Sequence, residues 1–236
     1  MRATIYLIPT VLAEGATQTL PAYVTDAVKQ CSHFFVENER TARRFLKSLW
    51  KEMVIDDYRW IPIKEITPDV GTHFTQAMQQ GKTIGIISEA GCPGVADPGQ
   101  ELVQRAQEFG AVVKPLVGPS SILLALMASG MNGQQFQFAG YLPIDVVERT
   151  KAIKNLEAES KTKNCTQLFI ETPYRNNQLL ETLLKTCQPQ TRICVAVDLT
   201  AATERIETKT VQQWKAAVPQ LHKRPAIFLL LATNTR

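Results

Sequence analysis

The sequence predicts an α/β protein of two domains, and three observations carry this prediction. Short apolar runs alternate with longer segments whose apolar residues recur at helical spacing, as in sheets covered by helices. The chain has 236 residues, enough to bury a sizeable core. Near its end, three strand-like runs follow one another closely, which favours an antiparallel or mixed sheet. We therefore expect a domain at 1–117 with a mostly parallel sheet and a domain at 118–236 with a mixed sheet.

The first half predicts a regular alternation of strand and helix. The segment WIPIKEITP contains Pro62 and ends at Pro68, and it is assigned to neither state. Helices are predicted at PAYVTDAVKQC, ERTARRFLKSLW, DVGTHFTQAMQQG and GQELVQRAQEFG, the last two ended by Gly81 and Gly110. Strands are predicted at TIYLIP, HFFVEN, KTIGIIS and AVVKPLV.

The second half begins with a predicted helix at 118–130, GPSSILLALMASG, opened by Pro119. Helical spacing also predicts VVERTKAIKNLEAESK, YRNNQLLETLLKTC and a short helix around Trp214. Strands are predicted at QFQFAGYL, CTQLFIET, RICVAVDLT, ERIETKTV and PAIFLLLA.

Composition narrows the class of protein. The chain is 44% apolar and 20% charged, as ordinary soluble proteins are, and no run approaches the roughly 18 apolar residues of a membrane span. The start, MRATIYLIPT, lacks the long apolar core and cleavage site of a signal peptide. Five cysteines without a CxxC pair indicate a reducing compartment. We expect a cytoplasmic protein without membrane contact and, because its three histidines are isolated, without a structural metal.

Charge is uneven along the chain. Residues 1–116 carry 12 basic and 13 acidic side chains, a net charge of −1, whereas residues 117–236 carry 14 and 9, a net charge of +5. A basic second half is compatible with a polyanionic partner, and equally with an ordinary solvated surface.

The stretch SEAGCPGVADPG, 88–99, follows a predicted strand directly. Parallel sheets bind ligands beyond the carboxyl ends of their strands, where this loop is expected. Its glycines permit close backbone approach, Asp97 can cap the next helix, and Glu89 lies just past the strand. A tight connection without any ligand remains the alternative. Neither GxGxxG after the first strand nor GxxxxGK[ST] occurs, which argues against the common dinucleotide and NTP enzymes.

Six stretches in order resemble one family. They are YLIPT, SEAGCPGVADPG, VVKPLVGPSS, FAGYLP, FIETPYR and DLTAATERIETKTVQQW, and the resemblance runs from about residue 4 to 232. Together they resemble bacterial methyltransferases that modify a ribose 2′-hydroxyl in small-subunit ribosomal RNA, within the tetrapyrrole methylase superfamily. The resemblance implies two α/β domains with a cofactor cleft between them, an RNA substrate, and a homodimer.

The resemblance also implies S-adenosylmethionine as the methyl donor. The family's motif positions correspond here to residues that follow several strands and open one helix. The cofactor-binding residues implied in this way are Pro9, Thr10, Glu89, Ala90, Cys92, Ser120, Ser121, Thr172 and Pro173.

A ribose hydroxyl is a weak nucleophile, so a general base and cationic groups that orient it are expected nearby. Among the carboxylates Glu37, Glu39, Glu89 and Glu171 and the neighbouring arginines, we select Glu37, Arg40 and Arg175 as the catalytic set. Glu171 can instead form a structural pair with Arg175.

Some motifs depart from the family pattern. The segment ENERTAR at 37–43 replaces an acidic E-D-T-R stretch, and IDVVERTK after GYLP dilutes a basic loop with Asp145 and Glu148. Two alternatives therefore stay open. The acceptor can be a tetrapyrrole or other small molecule, or the chain can be a non-catalytic module that binds cofactor or RNA.

Overall fold

The computed structural model describes residues 2–232, and the chain divides into two compact units, Met1–Ser120 and Ser121–Arg236. The division falls at 120–121, where the sequence predicted 117–118. Each unit contains one five-stranded sheet. Within residues 2–232, every helix is too short or too polar to cross a membrane.

The first unit has an entirely parallel sheet in the strand order β3-β2-β4-β1-β5. Short 3₁₀ turns occupy Thr17–Thr19 and Ile55–Asp57. Its helices are α1 (Tyr23–Gln30), α2 (Glu39–Leu49), α3 (Pro68–Gln79) and α4 (Gly99–Phe109). Its strands are β1 (Thr4–Ile8), β2 (His33–Val36), β3 (Arg59–Pro62), β4 (Thr83–Ile87) and β5 (Val112–Pro115).

Both faces of this sheet are buried because successive side chains point to opposite sides of each strand. Ile5 and Phe35 pack on one face with the apolar sides of α3 and α4. Ile8 and Phe34 pack on the other face with α1 and α2. Helices on both faces leave the ends of the strands as the open part of the sheet.

Strand β3 lies in the segment that the sequence left unassigned. Trp60 stacks on Phe34 of β2 with ring centroids 4.8 Å apart, and Pro62 pairs with Val36 where β3 ends. Proline cannot donate a ladder hydrogen bond, but β3 is an edge strand, where that loss is tolerated. The aromatic contact, which no local pattern shows, makes this segment a strand.

The second unit has a mixed sheet in the order β6-β7-β10-β8-β9, with β6 and β7 parallel and the other pairs antiparallel. Its core contains Phe169 stacked on Phe228, Trp214 and the leucines of α7. Its strands are β6 (Phe136–Tyr141), β7 (Thr166–Ile170), β8 (Arg192–Val197), β9 (Arg205–Thr210) and β10 (Ala226–Leu231). Its helices are α5 (Ser121–Ser129), α6 (Val146–Lys163), α7 (Asn176–Thr186) and α8 (Val211–Ala216).

Helix α5 starts later than the sequence predicted. Pro119 was expected to open the helix, but the first helical residue is Ser121. The preceding backbone is engaged elsewhere: the Cys92 thiol lies 3.6 Å from the Pro119 carbonyl oxygen, and Gly118 packs against the Pro9 ring. Residues 118–119 therefore belong to the first unit, in contact with the segments that follow β1 and β4.

Candidate functional site

The first sheet reverses its winding between β1 and β4. Strand β1 continues through α1 to β2 on one side of this pair, whereas β4 continues through α4 to β5 on the other side. Helices α1 and α4 pack on opposite faces, so the loops that follow β1 and β4 diverge. Such a switch point opens a crevice at the carboxyl ends of the strands, where open α/β sheets bind ligands.

A cavity of about 590 Å³ occupies this crevice. Its volume falls within the roughly 300–1,000 Å³ of pockets that hold cofactor-sized molecules. The loop after β1 forms one wall, α2 forms another, and the loop after β4 completes it. The lining residues are 10–15, Thr17, Thr41, Ala42, Arg44, Phe45, Ser48 and 88–90.

The loops after β1 and β4 are tied together beside the cavity. The Thr10 amide donates to the Gly91 carbonyl at 2.9 Å, and the Thr10 hydroxyl lies 3.4 Å from the Ser88 carbonyl. The Cys92 thiol, whose pKa burial raises, points to the Gly118 carbonyl at 3.7 Å. A neutral thiol is a packing group and not a nucleophile, so Cys92 can contribute only a contact to the proposed cofactor site.

The glycines of the loop 88–99 adopt the backbone conformation that their identity suggested. Gly91 has φ +75° and Gly94 has φ +84°, a region that side chains disfavour. Asp97 accepts hydrogen bonds from the Gly94 amide at 2.8 Å and the Gly99 amide at 2.7 Å. Asp97 thus closes the loop and caps the first turn of α4, which is the role predicted for it.

Two predicted site carboxylates meet at the rim of the cavity. Glu37 follows β2, and its Oε2 accepts the Glu89 amide at 2.7 Å. Glu89 is exposed, lines the cavity, and accepts a hydrogen bond from the Thr41 hydroxyl of α2. Thr41 was not among the predicted site residues, although it lies in the quoted ENERTAR segment.

The environment of Glu37 favours its neutral form. Burial raises the pKa of Glu37 above its ordinary value, the hydrogen bond from the Glu89 amide lowers it, and the charges of Asp97 and Glu89 raise it. A raised pKa makes Glu37 a stronger base than an ordinary glutamate.

Replacing Glu37 with glutamine is expected to stabilise the chain at neutral pH. The pKa of Glu37 is higher in the folded chain than in the unfolded chain. Glu37 therefore contributes its full stability below the unfolded pKa of about 4.3, and this contribution is lost as pH rises through the folded pKa. Glutamine stays neutral, so the unfolding temperature of Glu37→Gln should exceed that of wild type at pH 7 and match it below about pH 4.

The rate of the methyl transfer that the sequence resemblance implies should fall by about 10²- to 10⁴-fold in Glu37→Gln, because glutamine cannot accept the proton. Glu52→Gln, an exposed carboxylate, should change neither property; an equal effect there would contradict the assignment.

The arginines of α2 differ in their partners. Arg40 is exposed and, within residues 2–232, makes no ion pair. Arg43 pairs with Glu39 and lies over the Trp60 ring at 5.2 Å. Arg44 lines the cavity. The exposed Arg44 pairs with Glu14 at 3.8 Å. The charges of Arg40 and Arg44 are therefore open to a ligand, whereas Arg43 has a structural role.

The remaining predicted residues lie in or next to the second unit. Ser120 ends the first unit and Ser121 begins α5, both half-buried. Thr172 and Pro173, also half-buried, follow β7. Arg175 donates to Glu171 Oε1 at 2.7 Å, so the structural pairing considered for these two residues is present.

The structure thus brings six predicted residues to one edge of the first sheet. Those that meet at the ends of β1, β2 and β4 are Pro9, Thr10, Glu37, Glu89, Ala90 and Cys92. The cavity residues Phe45 and Ser48 were not in the predicted set, and Arg44 was not selected because it also fits a solvated helix face. The functional roles of the whole set stay predictions.

Relatives of this chain are known from sequence. Three relatives carry the name Ribosomal RNA small subunit methyltransferase I. The protein of Mesorhizobium japonicum is 34% identical over 61% of this chain and 48% of its own length. The protein of Halalkalibacterium halodurans is 29% identical over 78% of this chain and 60% of its own length. The protein of Bacillus subtilis is 27% identical over 89% of this chain and 68% of its own length. This chain spans about half the length of several curated relatives that it matches.

Solved structures share the fold. The methyltransferase CobJ superimposes with a TM-score of 0.65 at 19% identity, covering 100% of this chain and 95% of that protein. The uroporphyrin-III-C-methyltransferase from Thermus thermophilus gives 0.56 at 15% identity, covering 98% and 93%. These similarities confirm the predicted fold class, two α/β units with separate sheets; the cofactor cleft stays a prediction.

The profile of one family, described as Tetrapyrrole (Corrin/Porphyrin) Methylases, matches residues 14–215. The chain therefore belongs to the tetrapyrrole methylases.

Proposed function

We propose that this protein transfers a methyl group from S-adenosylmethionine to a ribose 2′-hydroxyl of ribosomal RNA. The observation that carries the proposal is the 590 Å³ cavity at the switch point between β1 and β4, lined by residues of the family motifs. Relatives named as small-subunit ribosomal RNA methyltransferases favour RNA as the acceptor.

The residues at the cavity suit the chemical groups of S-adenosylmethionine. Glu89 offers an exposed carboxylate to an ammonium group or ribose hydroxyls, and Gly91 and Gly94 keep side chains away from the adjoining backbone. Ser120 precedes α5 and Ser121 begins it, and the positive end of a helix dipole favours a carboxylate there. Thr172 and Pro173 belong to the second unit, and their part in cofactor binding rests on the family resemblance alone.

When bound, S-adenosylmethionine supplies a sulfonium-activated methyl group. The chain's own residues then hold the acceptor hydroxyl in line and take its proton. Glu37, with its raised pKa, accepts that proton at a carboxylate oxygen, while its Oε2 is positioned by the Glu89 amide. Arg40, exposed at the start of α2, stabilises the charge of a neighbouring phosphate.

The acidic residues after β6 do not rule out an RNA acceptor. Asp145 Oδ1 accepts the amides of Val147 and Glu148 at 2.9 and 3.0 Å, which caps α6. Glu148 lies in the first helical turn, where a negative charge is favourable. The start of α6 therefore explains why Asp145 and Glu148 are acidic. Their charge is no argument for a small-molecule acceptor, and RNA remains the favoured acceptor.

A homodimer is part of the proposal. Leu123 and Met127 are 51% and 78% exposed and lie one turn apart on α5, so their apolar surface suits an interface with a second copy. The cytoplasmic location stays a prediction. Sedimentation of the full chain would measure the oligomeric state directly.

Ser120→Tyr is expected to block cofactor binding, because the added ring would fill the proposed site without entering the core. Calorimetry should show S-adenosylmethionine binding to wild type and at least about a tenfold weaker binding to the variant, a change of about 1.4 kcal/mol. Thr162→Tyr adds the same ring at an exposed position of α6 and should bind as wild type does. Equal affinity in wild type and Ser120→Tyr would mean that the cofactor lies elsewhere.

A further inference from the structure

One edge of the second sheet collects residues that are distant in sequence. Strands β6 and β7 are parallel and end here, and β10, antiparallel to β7, begins here. Tyr141 ends β6 and, after a shift in register between Phe138 and Tyr141, pairs with Ile170, the last residue of β7. Residues 172–175 follow β7, and residues 221–225 precede β10. The topology therefore places three segments side by side.

The segment 221–225 is held firmly against the segment after β7. The Lys223 amide donates to the Pro173 carbonyl at 3.0 Å, and the Asn176 side chain donates to the Arg224 carbonyl at 2.7 Å. The Leu221 amide donates to Asn177 at 2.8 Å. Lys223 adopts φ +61°, which is uncommon for lysine and is maintained by these contacts. The side chains at 222 and 223 are thus presented from a fixed backbone.

Aromatic rings are exposed at this edge. Tyr174 is 67% exposed and Tyr141 is 59% exposed. The exposed His222 ring contacts Tyr174 edge-on, with centroids 6.1 Å apart, which supports the tyrosine ring and leaves a face open. Open aromatic rings are the surfaces on which proteins stack the bases of single-stranded RNA.

The charge that remains at this edge is positive. Glu171 is paired with Arg175, and Asp198 is paired with Arg224 at 2.6 Å, so both carboxylates are neutralised locally. Lys223 is exposed and has no carboxylate partner within residues 2–232. An unpaired cation beside open rings complements a phosphate next to an unstacked base.

We propose that Tyr141, Tyr174, His222 and Lys223 form a binding surface for single-stranded RNA, in which a base stacks on Tyr174 and Lys223 contacts a phosphate. This inference rests on the proposed RNA acceptor but assigns a surface whose four residues are not among the predicted catalytic or cofactor-binding residues, although Tyr141 and Tyr174 lie within family motifs. The segment 221–225 lies outside the quoted motifs, and its contribution follows from the hydrogen bonds to Pro173 and Asn176.

The test compares RNA affinity among variants of the full chain. A fluorescent single-stranded RNA oligonucleotide should bind Tyr174→Ala about tenfold to a hundredfold more weakly than wild type, whereas Tyr174→Phe keeps the ring and the affinity. Lys223→Ala should weaken binding and lower the salt dependence by about one phosphate contact. Lys161→Ala, in the last turn of α6 at the opposite end of β7, is the matched control and should leave binding unchanged. S-adenosylmethionine affinity, measured by calorimetry, should be the same in all variants.

The other outcomes have distinct meanings. RNA affinity unchanged in Tyr174→Ala and Lys223→Ala, an equal loss in Lys161→Ala, or no RNA binding by wild type would overturn the surface. If Tyr174→Ala loses S-adenosylmethionine binding but keeps RNA binding, this edge belongs to the cofactor site. If the wild-type chain binds a carboxylated porphyrin at this edge and does not bind RNA, the edge belongs to a small-molecule acceptor. RNA binding that depends on Tyr174 but leads to no methyl transfer would keep the surface and refute the proposed reaction.

Discussion

Replacing Gly118 with alanine is expected to destabilise the first unit and remove cofactor binding together. A Cβ atom at residue 118 would lie 2.1 Å from Pro9 Cβ and 2.5 Å from Pro9 Cγ. The Pro9 ring is buried and cannot rotate away, so the backbone at residues 9–10 or 118–120 must move. Overpacking of this kind costs about 1–3 kcal/mol in unfolding free energy.

The same displacement would reach the proposed site, because Thr10 and Ser120 adjoin the colliding residues. Chemical denaturation should show the loss of stability, and calorimetry should show at least about a tenfold loss of S-adenosylmethionine affinity. Gly133→Ala is the matched control, since a Cβ there meets nothing within 4 Å. A Gly118→Ala protein with wild-type stability and cofactor affinity would show that this contact does not position the site.

Arg175→Ala is expected to destabilise the chain in a pH-dependent way. The Glu171 side chain is 1% exposed. Its Oε1 accepts hydrogen bonds from the Arg175 guanidinium and, at 2.6 Å, from the Thr172 amide. Its Oε2 is buried and has no hydrogen-bond partner within residues 2–232. Burial raises the pKa of Glu171, but hydrogen bonds from Arg175 and Thr172 and the guanidinium charge outweigh it, so the pKa lies below its ordinary value. Leaving the buried Glu171 carboxylate without its partner costs about 1–3 kcal/mol at neutral pH.

The pH dependence identifies the cause of this loss. Because the folded pKa of Glu171 is lowered, the pairing stabilises the fold above the unfolded pKa of about 4.3 and is lost as pH falls through the folded pKa. The difference between wild type and Arg175→Ala should therefore be large at pH 7 and shrink in acid. Lys185→Ala, which breaks an exposed pair with Glu181, should cost much less. A loss from Arg175→Ala that is the same at pH 7 and pH 3 would exclude the electrostatic explanation.

The fold was predictable from sequence wherever periodicity and local chemistry agree. Gly110 ends α4 in the left-handed conformation, as its position predicted, and the alternating apolar residues of β1 and β4 lie in the two cores. Strand β3 was not predictable, because the stacking of Trp60 on Phe34 is a contact between distant residues. Helix α5 begins after Pro119 because residues 118–119 contact the loops after β1 and β4.

The candidate site was predictable only where the order of strands and loops along the chain determines which residues meet. The position of Glu89 past a strand indicated the correct edge, and parallel strands bring Glu37 and Thr10 to that edge. The hydrogen bond between Glu37 and the Glu89 amide depends on side-chain geometry that spacing does not encode. The segment 221–225 gives no local signal, since its position is set by Pro173 and Asn176, more than forty residues earlier in the chain.

The most direct test of the proposed reaction uses S-adenosylmethionine with a labelled methyl group. The full chain is incubated with small-subunit ribosomal RNA from cells that lack the protein, and the RNA is then hydrolysed in alkali. A 2′-O-methyl group removes the hydroxyl that cleaves the neighbouring phosphodiester bond, so we expect the label in an alkali-resistant dinucleotide. RNA without label, or label released only in mononucleotides, would contradict methylation of a ribose by this protein.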